Sequence, residues 1–163
     1  MRTMLKAVGI GACAALLSGA ALGQGAPHWA YRTTPDKMGR GEIKIATINS
    51  SNTVDFLPHK SERATLALRV HPRHGKTAML QVGPGEFLCP SSGCRVAARF
   101  DAGKVVDLPA VRPADYTATN VIFVRDHDRL LVSLKTAKRL LIEADFYGYG
   151  SRVFEFDVAG LQW

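Results

Sequence analysis

Phe154, Phe156 and Val158 alternate with Glu155 and Asp157 close to the end of the chain. An apolar residue at every second position is the spacing of a strand with one face in a core and the other in water. The signature recurs upstream at short intervals. Residues 42–49 set Ile43 and Ile45 against Glu42 and Lys44, and residues 64–71 set Leu66, Leu68 and Val70 against Thr65, Ala67 and Arg69. Further short runs lie at 29–33, 77–82, 95–100, 140–146 and 152–158. Val121, Ile122, Phe123 and Val124, within 120–125, suit a strand covered on both faces. Turn residues separate these runs at 72–75, 83–85, 101–103 and 148–151. Many short strands with frequent turns predict an all-β fold, a sandwich or partly open barrel of antiparallel strands.

One segment breaks this period. Between 128 and 138, Leu130, Leu131, Leu134 and Ala137 fall at helical spacing. Asp126 or Asp128 can cap the start, and Lys135, Lys138 and Arg139 lie where the helix dipole favours cations. This predicts one short helix between two strands, in preference to a continuous hairpin through 131–134.

The first 23 residues have the layout of an export signal. Arg2 and Lys6 precede an uncharged Ala- and Leu-rich run at 7–22, and Ala21-Leu22-Gly23 places cleavage before Gln24. The apolar run, roughly 16 residues, falls short of the ~20 that span a bilayer. Cys13 loosely fits a lipidation signal, but such a cysteine closes the apolar run and here the run continues past it. The expectation is a signal peptide at 1–23 and a single domain at 24–163, exported to the periplasm or secreted, with no lipid on Cys13 and no membrane span after cleavage. The chain carries 21 Lys plus Arg against 14 Asp plus Glu; losing Arg2 and Lys6 leaves 19 against 14, a net charge of +5. That balance favours anionic partners such as lipid headgroups, acidic glycans or an acidic protein. Nucleic acid is not expected, given the compartment and the spread of charge along the chain.

Only Cys89 and Cys94 remain after such cleavage. Two cysteines in an exported domain read as a disulfide, and Pro90 and Gly93 between them let the chain reverse, as at a hairpin tip. A redox pair is the alternative, but the usual spacing is two residues at a helix start rather than four between strands. A metal site would need further ligands, and neither a metal nor a cofactor is expected.

Among groups able to bind or react, Arg69, His71, Arg73, His74 and Lys76 make a basic turn that could hold phosphate or carboxylate groups, the competing reading being a solvated hairpin tip. Gly75-Lys76-Thr77 imitates the end of a phosphate-binding loop, but Val70 stands where the upstream glycine is required. Asp126-His127-Asp128 could be an acid–base pair, although a helix cap explains it better. Glu143 with Asp145, and Glu155 with Asp157, are spaced to share a strand face, which is ordinarily its wet side. No Gly-x-Ser-x-Gly elbow is present. Aromatic residues gather near the two ends (Trp29, Tyr31, then Phe146, Tyr147, Tyr149, Phe154, Phe156 and Trp163), either as a binding surface or as packing that joins the ends.

Taken with the leader and the cysteine pair, Trp29, Ser51-Asn52, Ala67-Leu68-Arg69, Arg99-Phe100-Asp101, the Leu-rich segment before Ile142-Glu143 and the closing run from Phe154 to Leu161 give the chain a recognisable layout. It resembles small uncharacterised exported proteins of Gram-negative bacteria and, more distantly, periplasmic accessory proteins associated with type VI secretion. The resemblance implies a β-rich domain working at the cell envelope and transfers no site residue. The function expected is a non-catalytic binding or accessory module recognising an envelope component or protein partner. The alternatives are an envelope hydrolase drawing on His71, His74, Asp126, His127 and Glu143, and a structural subunit of an envelope assembly. Whether the chain is an enzyme stays open at this point, with no catalytic residue assigned. An inhibitor of a lysozyme-type enzyme is disfavoured because both partners would be basic.

Overall fold

The computed structural model describes residues 29–114 and 118–163. The leader at 1–23, Cys13 and the lead-in at 24–27 lie outside the described residues. In chain order the elements are β1 (Ala30–Pro35), β2 (Glu42–Asn49), β3 (Val54–Phe56), β4 (His59–Glu62), β5 (Ala64–His71), β6 (Gly75–Val82), β7 (Cys94–Phe100), β8 (Val105–Val111), β9 (Val121–Val124), α1 (His127–Thr136), β10 (Arg139–Phe146) and β11 (Gly150–Asp157). Nine strands form one antiparallel sheet in the order β1-β2-β5-β6-β9-β8-β7-β10-β11, and β3 and β4 make a separate hairpin. The end strands β1 and β11 do not pair with each other, so the sheet folds over as a sandwich and does not close into a barrel.

The inner faces of the two halves share one core. Leu66 and Leu68 of β5, Leu80 of β6, Ile122 of β9, Leu108 of β8, Leu140 and Ile142 of β10 and Phe154 and Phe156 of β11 are all buried in it. Helix α1 presses Leu130 and Leu134 onto the same core. Asp126 caps it by accepting from the Arg129 N–H at 3.2 Å, as its place before the Leu-rich segment predicts. In β2 the buried side chains are Ala46 and Ile48, so by alternation Lys44 shares the inner face and Ile43 and Ile45 turn outward. Across the sheet Lys44 opposes Thr33 and Val70 near the mouth of the sandwich, where it keeps contact with water.

A cluster of rings closes one end. Phe146 lies 4.9 Å from Phe56, 4.6 Å from Phe87 and 6.0 Å from Phe154, centroid to centroid. The Tyr149 ring adds a contact to Phe56 at 5.2 Å and its hydroxyl donates to the Leu57 carbonyl at 2.8 Å.

Cys89 and Cys94 are bonded to each other, with their Cα atoms 4.9 Å apart. The expected hairpin-tip setting is corrected: β6 and β7 are not neighbours in the sheet. Phe87 bridges Phe146 while Ala97 pairs with Glu143, both on the same edge of β10. A step of three positions along β10 is thus matched by a step of ten along the facing chain, and the disulfide staples the excess as a looped-out excursion within one strand line.

The two chain ends meet. Trp29 is buried and its indole N–H donates to the Val158 carbonyl at 3.0 Å, and the Gln162 N–H donates to the Tyr31 hydroxyl at 2.7 Å. This is the packing reading of the terminal aromatics.

The free edge of β11 is covered by the loop after β2. Asn52 donates its side-chain N–H to the Val153 carbonyl and accepts the Glu155 N–H, both at 2.8 Å, while the Ser51 N–H donates to the Glu155 carbonyl at 2.7 Å. A side-chain amide here takes the place of a neighbouring strand's peptide group. Buried Ser50 holds the loop by accepting from the Ala64 N–H and donating to the Asn52 carbonyl. Arg63 donates to the carbonyls of Ser50 and Ser51. No helix among the described residues is long and apolar enough to cross a membrane.

Candidate functional site

The sheet brings two reversals side by side, the β1–β2 turn at 36–41 and the β5–β6 turn at 72–74. A Cβ built on Gly41 would stand 3.7 Å from Pro72 Cγ, so the two turns lie close beside each other. Asp36 organises the first. It is 8% exposed, and its carboxylate accepts from the Arg40 guanidinium and, at 3.4 Å, from the Met38 N–H. Its backbone N–H donates to the Gly41 carbonyl at 2.8 Å. The Arg40 hydrogen bond, assisted by that from Met38, holds the Asp36 carboxyl at about 2, against partial desolvation that pushes the other way.

In the second turn the His71 and His74 rings are 4.6 Å apart. His71 Nδ1 accepts the Arg73 N–H at 3.0 Å, which fixes the tautomer with the proton on Nε2 whenever the ring is neutral. Partial burial holds the His71 pKa below the ordinary histidine value, and the neighbouring His74 and Arg69 push it the same way, against Asp36. Arg69 Nε donates to Thr77 Oγ1 at 3.2 Å. Lys76 Nζ lies 3.3 Å from Asp128 Oδ1, which ties the hairpin to the start of α1.

All five residues of the sequence-read basic turn, Arg69, His71, Arg73, His74 and Lys76, therefore lie in one hairpin, and the first turn sets Lys37, Asp36 and Arg40 beside it. The Asp36–Arg40 pair was missed at the level of sequence because its value comes from a turn that β5 and β6 lie against. Its local signal was Pro35-Asp36 followed by two closely spaced glycines, Gly39 and Gly41, both of positive φ.

Of the residues read as a dispersed hydrolytic site, His71 and His74 meet in the basic turn, while the other three lie elsewhere. Asp126 is spent on capping α1. His127 is buried with Nδ1 3.0 Å from Asp128, and its Nε2 meets no partner among the described residues. Glu143 stands on the outer face of β10, opposite Ala97 and Val153. Glu155 and Asp157 border a separate cleft of 550 Å³ with Arg99 and Arg139. Asp101, on the rim of that cleft, accepts the N–H groups of Lys138 and Arg139 at 2.9 and 2.8 Å, a role in turn formation. Among the described residues no three His, Cys, Asp or Glu side chains are arranged to hold a metal ion.

Beside the basic turns a second feature opens at the mouth of the sandwich. A 380 Å³ groove runs between β1, β2 and β5 on one side and the last residues of the chain on the other, with Tyr31, Thr33, Lys44, Val70, Gln162 and Trp163 in its lining.

No protein-family model matches the chain, and no curated protein does. Among solved structures, the crystal structure of invasion associated protein B from Bartonella henselae superposes with a TM-score of 0.50 over 82% of this chain and 86% of that one, at 14% identity. At that identity the likeness is one of fold, and it agrees with the sandwich described above.

Acid should weaken the β1–β2 turn. A carboxyl held at about 2 when folded, against an ordinary 3.8, contributes stability that is complete above 3.8 and is lost as pH falls through about 2. Asp36→Asn removes this linkage, so its acid-unfolding curve, followed by circular dichroism, should be flatter than wild type between about pH 4 and pH 2. Equal slopes in that window would show that the Asp36–Arg40 contact is not formed in solution.

Proposed function

We propose that the protein is a non-catalytic binding module of the cell envelope that holds an anionic group of its ligand on the paired turns at 36–41 and 72–74. The observation carrying this reading is that two adjacent turns gather Lys37, Arg40, Arg69, Arg73, Lys76 and two histidines, Arg69 and His71 on the outer face of the sheet and Lys76 on the inner, with Asp36 and Asp128 the carboxylates bonded to Arg40 and Lys76. Arg69, Arg73 and Lys37 are in no salt bridge among those found between described residues, so their charge is available to an incoming anion. Guanidinium groups bind phosphate and carboxylate oxygens through paired N–H donors. Two reversals fixed by Asp36 and by the His71–Arg73 bond present these donors without ordering a loop at the moment of binding. The Cys89–Cys94 disulfide supports work in an oxidising compartment, the periplasm or beyond the cell. A fold shared with a bacterial protein described as invasion associated is compatible with an accessory role there.

The test is binding of the chain from Gln24 onward to polyphosphate, a simple anionic probe. Wild type should bind with an affinity that falls as NaCl rises. Arg73→Ser with Lys76→Ser should weaken binding about tenfold or more, some 1.4 kcal/mol. Arg99→Ser with Arg139→Ser, which removes as much charge from the other cleft, should leave it within about twofold of wild type. Equal losses in the two pairs would reduce the effect to net charge and sink the proposal.

A further inference from the structure

We infer that the groove between Tyr31 and Trp163 is a subsite for a sugar ring, so that the ligand of the basic turns is an acidic oligosaccharide; this rests on the reading of those turns as an anion site. A pyranose offers apolar C–H faces and a rim of hydroxyls. It is held best by aromatic and aliphatic walls carrying a few well-placed polar groups. The groove has that composition. Tyr31 is 44% exposed, yet its hydroxyl is fixed by the Gln162 N–H at 2.7 Å, so an accessible ring is already oriented. Trp163 packs against the core and lines the same groove, while Val70 contributes an aliphatic wall. Thr33 and Gln162 supply hydroxyl and amide groups.

Charge places an acid on that sugar. Lys44 lies on the inner face of β2, the side that carries Ala46 and Ile48 deeper in, and among the described residues it is paired with Glu42 at 3.7 Å. A cation on the core side of a sheet is kept where it stays wet, and here it lines the groove. Val70 joins the groove to the basic hairpin on one face of the sheet, because it opposes Lys44 in β2 and Lys76 in β6. A polymer with a ring between Tyr31 and Trp163 can therefore extend its next carboxylate across Val70 toward Lys76 at the base of the hairpin. A phospholipid headgroup would use the cations and leave the aromatic walls without a partner.

The experiment titrates the chain from Gln24 onward with tetragalacturonate, a hyaluronan tetrasaccharide, polyphosphate and vesicles of phosphatidylglycerol in phosphatidylcholine. The protein has two tryptophans and Trp29 is 5% exposed, so acrylamide quenching reads Trp163 almost alone. At least one acidic saccharide should bind and shield Trp163. Tyr31→Ala should weaken that saccharide tenfold or more while leaving polyphosphate within twofold. Tyr31→Phe, which keeps the ring and loses only its bond from Gln162, should retain most of the affinity. The inference is overturned if neither saccharide binds, if Tyr31→Ala binds the saccharide as wild type does, or if vesicles bind while the saccharides do not. Polyphosphate separates the two levels: its binding with saccharide failure leaves the anion site standing, and its failure removes the parent reading as well.

Discussion

Replacing Phe146 by alanine should destabilise the protein by about 3–5 kcal/mol, the range for removing a buried phenylalanine side chain. The ring is 1% exposed and contacts Phe56, Phe87 and Phe154, which come from three other parts of the chain. Nor can the space collapse easily. A Cβ placed on Gly85 would stand 2.9 Å from Phe146 Cε1 and 3.1 Å from Phe56 Cε1, so backbone and rings are already in contact around the site. A typical domain is stable by about 5–15 kcal/mol, so this one change removes a large part of the total. Urea unfolding followed by circular dichroism measures it. Phe146→Leu should lose much less, since most of the volume stays. A loss below about 1 kcal/mol for the alanine variant would mean that the four rings are not packed as described.

Trp29→Ala should have a comparable effect, about 3–5 kcal/mol, by a different route. The indole is buried and donates to the Val158 carbonyl, fastening the start of β1 to the segment after β11. Trp29→Phe separates the two contributions. It keeps an apolar ring but leaves the carbonyl without its donor, for a loss of about 1–3 kcal/mol. Both variants should also loosen the Gln162–Tyr31 contact, detectable as faster amide exchange at Gln162. Unchanged exchange there would show that the two fastenings are independent.

Much of the framework was legible in the sequence because it is local. The alternation at 42–49 and 64–71 gives β2 and β5 with their observed bounds, and the cap at Asp126 gives the start of α1. The helix ends at Thr136, two residues short of the expected 138, because Ala137 is already extended. What escaped is what local pattern cannot carry. β4 reads His59-Lys60-Ser61-Glu62, a polar run without an apolar face, and β3 is three residues long. β8 contains Pro109, which argues against a strand. It is tolerated because β9 pairs only with Ala110 and Val111, beyond the proline. In β2 the period was right and the choice of face was not evident, since Ile43 and Ile45 are larger than Ala46. The disulfide followed from counting cysteines, whereas its place as a strand excursion depends on the register of β10. Likewise the basic turn was visible as a string of residues, but Asp36, Lys44, Tyr31 and Trp163 join it only through the sheet.

The Asn52 clasp on β11 has a consequence for self-association. Edge-to-edge polymerisation needs each molecule to offer backbone partners on two sides, one to receive a neighbour and one to recruit the next. In this sheet the central peptide groups on one margin are already engaged by Ser51 and Asn52, and β1 alone ends the other with no strand beyond it among the described residues. Backbone pairing can then join two copies through their first strands and go no further. Growth stops at a pair instead of running on into a filament.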